Sequence, residues 1–590
     1  MSYNAMFDEA LNLFDNGDFE NAEIIARQLI ETAPDNPEIL NLIGLIAQAK
    51  GLHHEACSYF SVALQQKPNT ASYLFNLAFS LKSSNQLSDA LFNYNKVLQI
   101  APHIKETHNE IACIYEQLND IDKARIHWQT ALKMDPSYLT AEINLANSYR
   151  VDNPQKASTL LQNLSEKHPD EPAIWYNLAW LNYNNKNFEQ AIHHAKQAEQ
   201  LSPLSELIKY LLGICSLELD NENDAKNYFL SAEIINPDYV DAKLCIADIY
   251  SRNDEFFEAE KRYKRIIEID AKNFSAHCNY AEMLHRQKRL PESLEEYRKA
   301  IIINPLSPEV SNNLGTVLKD LQEYDEALGL FFNSLSLDPK SEATSVNIWE
   351  TIVLLSSIDE EKARKIADNW HKSYPDNPFA KYAKSAMEGD NFAPAETFTE
   401  QLFDNFADNY EMVMQTLDYS APMAIRRIAG PLEGRIVDLG CGSGLVGMAV
   451  KSDKNYLIGV DISSNMLSKA SAKKIYSELI KTDIFNFLSI RNDFEWIIAA
   501  DVMGYLGSPE QLFILCKNKN IIFTIESSYD TSTYQIQSNG RFKHNPDYIE
   551  NLLLKNNFHS IYKEELILRT ENQIPVKGYI FKAMGDNKNG

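Results

Sequence analysis

Small, large and helix-breaking residues return along the first two-thirds of the chain at one fixed interval. Prolines stand at 34, 68, 102, 136, 169, 203, 237, 305, 339 and 375, nearly every gap being 34 residues or a multiple, with Ala271 where one more would fall. Near the eighth position of each period is a small residue (Gly44, Ala78, Ala112, Ala146, Ala179, Gly213, Ala247, Ala281, Gly315). Near the twentieth is another (Ala22, Ala56, Ala90, Ala124, Ala157, Ala191, Ala225, Ala259, Ser293, Ala327, Ala363). A large residue often follows four later, as at Phe60, Tyr94, Trp128, Phe229, Tyr263, Tyr297 and Phe331. Two helices per period follow from this pattern. Small residues on their facing sides let the paired helices approach closely. A residue four further on shares that face and is expected to fill the gap between neighbouring repeats. Proline then ends the second helix, because it cannot continue the hydrogen-bond ladder. The fifth period is one residue short near Val151 to Gln155, and the last, from Glu342, puts Trp349 at the small position, which predicts a splayed or terminal hairpin. A further helix from Pro378 to Met387 is expected to cap the face that end repeats expose.

After Glu388-Gly389-Asp390-Asn391 the period is lost, and apolar runs alternate with helical stretches. Ala395 to Met414 reads as one helix carrying Phe403-Asp404-Asn405-Phe406-Ala407-Asp408-Asn409-Tyr410-Glu411. Strands are predicted at 435–440, 456–461, 478–482, 494–500 and 520–526. Helices are expected from Ser443, over 464–474, near Pro509 to Cys516 and near Pro546 to Asn556, and two strands at 560–568 and 576–583 close the chain as an antiparallel hairpin. Such alternation implies a parallel sheet with right-handed crossovers. The first strand runs into Asp438-Leu439-Gly440-Cys441-Gly442-Ser443-Gly444. Glycines there suit a tight turn of positive φ that a ligand can approach closely, and the helix that follows aims its unpaired N–H groups at that ligand. Asp461, Asp483 and Asp501 stand at or near the ends of the next three strands, the edge at which open α/β sheets bind ligands. The competing pattern for this turn is the dinucleotide fingerprint Gly-x-Gly-x-x-Gly, partly mimicked by Gly444-x-x-Gly447.

Composition narrows the setting. A length of 590 residues allows three or four domains, and 44% hydrophobic with 23% charged residues is the make-up of a folded chain. No apolar run reaches eighteen residues, so no membrane span is expected, and Met1-Ser2-Tyr3-Asn4 begins no secretory signal. Seven scattered cysteines without a Cys-x-x-Cys pair predict reduced thiols of a cytoplasmic protein and no metal site. A net charge of -26 argues against a nucleic acid partner. Residues 391–590 hold 24 acidic and 20 basic side chains, so nearly all the excess, -22, sits on the first 390 residues. That surface either serves solubility or attracts basic partners.

The repeat closely matches the tetratricopeptide repeat (TPR), about eleven times, and the strand-end series resembles the class I S-adenosylmethionine (SAM) dependent methyltransferases. The fold implied is an all-α TPR solenoid over residues 1–377, a capping helix and linker over 378–394, and a Rossmann-like α/β methyltransferase domain with a seven-stranded sheet over 395–590. The resemblance implies that Asp438 and the turn of Gly440, Cys441, Gly442 and Gly444 pass the methionine part of SAM, and that Asp461 holds the ribose. It also implies that Asp483 meets the adenine amino group, with Ile462 and Ile484 against the ring. Several such enzymes place an aromatic-acid-aromatic segment before the first strand. That marks Tyr410 for the methionine carboxylate or the sulfonium, beside a plain packing role for the helix. Ala499 to Gly507, Phe523 to Glu526, Gly540 to His544, Ile574 to Gly578 and Tyr419 to Pro422 look like segments of predicted TPR-containing methyltransferases. No Asn-Pro-Pro-Tyr or Asp-Pro-Pro-Tyr follows the fourth strand, which argues against the amide and exocyclic amine methylases that use it.

Four residues are candidates for acceptor contact. Asp501 and Glu526 offer carboxylates at strand ends, His544 in a predicted loop has the pKa range of a base, and Arg541 can grip a carboxylate or phosphate bidentately. A plain Glu526–Arg541 salt bridge is the competing reading. Sixth-position asparagines of the TPR pattern, Asn76, Asn144, Asn177, Asn279 and Asn313, point into the concave groove. A ladder of amides there would bind an extended peptide, as the similar TPR superhelix of O-linked N-acetylglucosamine transferases does. The expected function is a SAM-dependent methyltransferase whose TPR solenoid recruits a protein partner or substrate. The alternatives are a small-molecule or glycan acceptor, with the repeats used for docking or oligomerisation, and an inactive interaction scaffold.

Overall fold

The computed structural model describes residues 3–391, 394, 396–571 and 573–586. The chain divides into two compact units, Met1–Ile269 and Asp270–Gly590. In the first, sixteen described helices from Tyr3–Asp15 to Phe256–Ile269 form eight hairpins. The second opens with three more, ending in Glu342–Ser356 and Glu360–Ser373. In nine of the eleven hairpins a left-handed residue follows the first helix, the exceptions being the short fifth and the last. Gly17, Gly51, Asn85 and Asn119 mark one run, and Lys186, Asp220, Asp254, Lys288 and Gln322 resume it at the same spacing beyond the short fifth repeat. A left-handed residue just past a helix end turns the chain back while satisfying the last carbonyls.

The large residue of the repeat packs inside its own hairpin rather than in the expected seam between repeats. A Cβ on Gly44 would lie 2.6 Å from the Phe60 ring, one on Gly213 2.4 Å from Phe229, and one on Gly315 2.6 Å from Phe331. Each phenyl ring thus fills the space that the missing side chain leaves. Where the large residue is Tyr94, Trp128, Tyr263 or Tyr297, the residue at the same offset is alanine: Ala78, Ala112, Ala247 or Ala281.

The second unit continues through Pro378–Glu388 into an α/β fold. Its nine strands are β1 Gly434–Leu439, β2 Asn455–Asp461, β3 Glu478–Lys481, β4 Trp496–Ala499, β5 Asn520–Ser527, β6 Tyr534–Ile536, β7 Phe542–His544, β8 His559–Glu571 and β9 Ile574–Met584. Strands β3-β2-β1-β4-β5 run parallel, β9 pairs antiparallel with β5, and β8 with β9. Those seven strands match the expected sheet. The sequence pattern did not predict the remaining hairpin, β6–β7, since three-residue strands are too short for an alternating pattern to register. Glu526 pairs with Gly578 of β9 and also with Lys543 of β7. A strand has two edges, so β7 occupies the β4 edge of β5, beyond the point where β4 has ended at Ala499.

The tip of this hairpin reaches the last repeat. Trp349, Phe379 and Tyr382 share one core with Phe398, Ile536 and Phe542, the ring centroids of Tyr382 and Phe398 being 4.6 Å apart. The Tyr382 hydroxyl donates to the carbonyl of Gly540. A Cβ on Gly540 would lie 2.6 Å from Trp349, so only a bare backbone fits there. Trp349 at the small position therefore turns its ring toward the α/β fold, and the helix Pro378–Glu388 packs on the two helices of the last repeat while its Tyr382 reaches across to Gly540 and Phe398. Preceding β1, two helices, Glu396–Phe406 and Tyr410–Thr416, stand where one was predicted. No described helix is long and apolar enough to cross a membrane.

Candidate functional site

A cavity of about 330 Å³ opens at the C-terminal ends of β1, β2 and β4 beneath those two helices, a size at the lower end for ligand pockets. Gly440 (φ +64°) and Gly442 (φ +52°) form its floor. A Cβ on Gly442 would project to 3.8 Å from the Tyr410 hydroxyl, into the space between turn and cover. Asp461 ties two turns together: Oδ2 accepts from Gly442 N at 2.8 Å and Oδ1 from Ser463 N at 2.9 Å. Burial raises its pKa, and those amides oppose the rise. Asp483 caps the helix Ile484–Ile490, its Oδ1 accepting from Phe485 N and Asn486 N, both at 2.9 Å.

The cover is latched by acids spread over both of its helices and the turn between them. Glu400 pairs with Lys481 at 2.8 Å, Asp408 with Lys469 at 2.8 Å, and Glu411 with Lys473. Asp404 accepts from Ser463 Oγ at 2.5 Å and Asn465 N at 3.1 Å, capping the helix Ser464–Ala472 from outside. Lys473 also donates to the Ser443 carbonyl at 2.8 Å, so the latch grips the glycine turn itself.

A compact charge network closes the far wall. Arg541 donates through Nε to Glu526, through Nη1 to the Tyr505 hydroxyl at 2.7 Å and through Nη2 to Asp501 Oδ1 at 2.7 Å. Arg569 donates to Glu526 at 2.7 Å and to Glu571 at 2.6 Å. Burial favours the neutral form of Glu526, but the charges of Arg541 and Arg569 outweigh it and hold the carboxyl well below the usual range. Asp501 sits at φ +62°, a left-handed conformation rare outside glycine, with its N–H on Thr524 Oγ1 at 2.9 Å. Such strain persists where surrounding bonds over-determine it.

The cavity thus brings together Tyr410, Gly440, Gly442, Asp461, Ile462, Asp483, Ile484, Asp501 and Arg541. Asp438, Cys441, Gly444, Glu526 and His544 lie behind its wall. His544 is on β7, not in a loop; it is fully buried, its Nε2 is 2.9 Å from the Gly507 carbonyl, and burial pushes its pKa down to about 4. Asp438 Oδ2 accepts from the Tyr476 hydroxyl at 2.6 Å, and burial pushes its pKa up to about 7. Tyr476 crosses Gly447, where a Cβ would lie 2.3 Å from its oxygen. The glycine that imitated a dinucleotide motif makes room for this tyrosine.

Sequence reasoning missed Tyr476, Asp404, Tyr505 and Arg569. Arg569 alone carried a signal, as a cation after the apolar run Leu566-Ile567-Leu568 that demands a buried anion. In the repeats, Asn76 and Asn144 donate to Asn41 and Asn109 of the preceding repeat, each at 3.0 Å, as Asn347 does to Asn312. Asn177 bonds the Ala173 carbonyl at 2.8 Å, Asn313 accepts from Asn312, and Asn279 also has a partner. Asn76, Asn144, Asn177 and Asn313 are thus engaged within the array.

Comparison with known proteins bears on both parts. A methyltransferase domain family matches residues 436–518, and tetratricopeptide repeat families match 7–71, 149–206 and 246–308, and 105–138. The chain is similar to BBSome complex member BBS4 of Bos taurus, 22% identical over 246 residues, 40% of this chain and 47% of that protein. It is also similar to the 18S rRNA (guanine-N(7))-methyltransferase RID2 of Arabidopsis thaliana, 31% identical over 106 residues, 17% of this chain and 36% of that protein. It spans about half or less of the length of the curated relatives it matches. A tetratricopeptide repeat protein from Parabacteroides merdae superposes with a TM-score of 0.38 at 19% identity, covering 41% of this chain and 97% of that one.

Proposed function

We propose that this chain, which carries tetratricopeptide repeats and a methyltransferase domain, transfers a methyl group from SAM to an acceptor brought to it by its repeats. The observation that carries the reading is the cavity floor: two left-handed glycines, with Asp461 braced between two turns and Asp483 on the next strand end, all facing one space. The fit is chemical as well as spatial. Each carboxylate spends part of its accepting capacity on backbone amides and keeps lone pairs for hydroxyls or an amino group. In this reading Asp461 holds the ribose hydroxyls, Asp483 the adenine amino group, and Ile462 and Ile484 flank the ring. Gly440 and Gly442 admit the methionine part, with Tyr410 across from them.

SAM supplies an electrophilic methyl group on sulfonium. The chain's own contribution is alignment of the acceptor with that methyl, the main lever on an in-line displacement, and exclusion of water by the latched cover. The repeat array serves as the recruiting surface for a protein partner. Calorimetric titration with S-adenosylhomocysteine tests the reading: micromolar binding is expected for the intact chain and a loss of about tenfold or more in Asp461→Ala, since removing a charged partner from a ligand's hydrogen bonds costs about 1.5–3 kcal/mol. No binding by the folded chain would refute it.

A further inference from the structure

We propose that the methyl acceptor is the nitrogen of an aliphatic amine, a reading that rests on the SAM assignment above. The cavity wall presents the carboxylates of Glu396, Asp461, Asp483 and Asp501 and, among the described residues, one cation, Arg541. That guanidinium is already engaged by Glu526, Tyr505 and Asp501 and leaves no free fork for an anionic acceptor. With Asp461 and Asp483 given to the ribose and adenine, a carboxylate, phosphate or thiolate would still enter beside Glu396 and Asp501 with no free cation to meet it. The net charge of -26 opposes nucleic acid for the same reason.

A hydroxyl acceptor needs a base of suitable pKa within reach. No histidine, cysteine or lysine is among the described residues lining the cavity, and His544 is buried behind it on the Gly507 carbonyl. An amine has only to shed one proton. Around Asp501 the wall is aromatic: Phe403 lies edge-on to Tyr505 at 5.1 Å, and Phe406 edge-on to Tyr410 at 5.5 Å. Aromatic faces beside a carboxylate attract an organic cation. Asp501 gives Oδ1 to Arg541, and its Oδ2 has no hydrogen-bond partner among the described residues.

The step balances without a further reagent. The amine arrives as the ammonium, held by Asp501 and the rings, and sheds one proton to water before it reacts. Its lone pair forms the new N–C bond, and the electrons of the broken S–C bond stay on sulfur. The products are an N-methylammonium ion, a neutral thioether and one proton.

Saturation-transfer NMR on the full chain, saturated with S-adenosylhomocysteine, tests this with two probes of similar shape and opposite charge, tetramethylammonium and pivalate. Tetramethylammonium is expected to bind about tenfold tighter, as cation–π contacts and one carboxylate imply. Asp501→Asn should lose most of that preference while keeping its S-adenosylhomocysteine affinity. Phe406→Leu, which removes a ring and no charge, should weaken the cation by about threefold and leave pivalate unchanged. Displacement of the probe by N-acetyl-lysine methylamide points to a protein side chain, and displacement by putrescine to a free polyamine. Equal or tighter pivalate binding, no binding of tetramethylammonium, or displacement by neither amine overturns the proposal. Failure of S-adenosylhomocysteine itself to bind refutes the cofactor reading instead.

Discussion

Replacing Asp438 by asparagine isolates the electrostatic cost built into the glycine turn. The carboxyl is buried, 1% exposed, and accepts from Tyr476. Burial outweighs the Tyr476 and Gly447 hydrogen bonds and pushes its pKa from 3.8 up to about 7. Between those values the folded protein keeps a proton that the unfolded chain has released. Stability therefore falls as pH rises through this window and levels off above it. From pH 5 to pH 8 about two units of the shift are traversed, or about 3 kcal/mol. Asparagine keeps an oxygen for the Tyr476 hydroxyl and has no proton to lose, so Asp438→Asn should be spared this decline. Thermal unfolding of both chains at pH 5 and pH 8, following the transition that S-adenosylhomocysteine shifts, reads the effect. The variant should gain on the wild type by about 3 kcal/mol between the two pH values, a shift of several degrees. A variant-minus-wild-type difference that is the same at both pH values would refute the burial argument.

Glu526→Gln leaves the guanidinium groups of Arg541 and Arg569 short of their shared anion in a buried site, which costs about 3–5 kcal/mol. Because the folded pKa of Glu526 is depressed below its ordinary 4.5, the difference between wild type and variant should be full above that pH and shrink as acid protonates the wild type; a difference constant down to strongly acid pH would contradict it. Residues 270–590 should fold alone, whereas 391–590 should not. Deleting Trp349, Phe379 and Tyr382 uncovers Phe398, Ile536 and Phe542, three buried large side chains worth roughly 5–9 kcal/mol, comparable to the stability of a whole domain. A cooperative melting transition for 391–590 would show that the shared core is dispensable.

Much of this protein is legible without coordinates because its regularities are local. Recurring small residues, a proline at nearly every 34 residues and glycine turns after apolar runs act over a few bonds or one helical turn, whereas the packing of the large residue inside its own hairpin spans two helices and had to be seen. Local sterics therefore suffice to specify eleven hairpins, the alternation of strand and helix, and acids at strand ends. The latched cover was half visible: the aromatic-acid segment was marked, but its break into two helices at Ala407–Asn409 depends on the bend over the cavity. His544 looked like a candidate base because histidine titrates near neutrality, yet its pairing on β7 buries it, and only packing decides that.

The sequence by itself determined the repeat period, the places of the seven principal strands along the chain and the identity of the carboxylates at their ends, since each follows from patterns of neighbouring residues. Tertiary structure alone decided that Trp349 and Tyr382 hold the turn at Gly540, that Tyr476 seats on Gly447 and bonds Asp438, and that Arg541 is consumed by Glu526, Asp501 and Tyr505. These are contacts between residues from 15 to more than a hundred positions apart. They depend on volume, on the strand edge left free beyond β4 and on the pairing of buried charge, and none of those leaves a periodic trace along the chain.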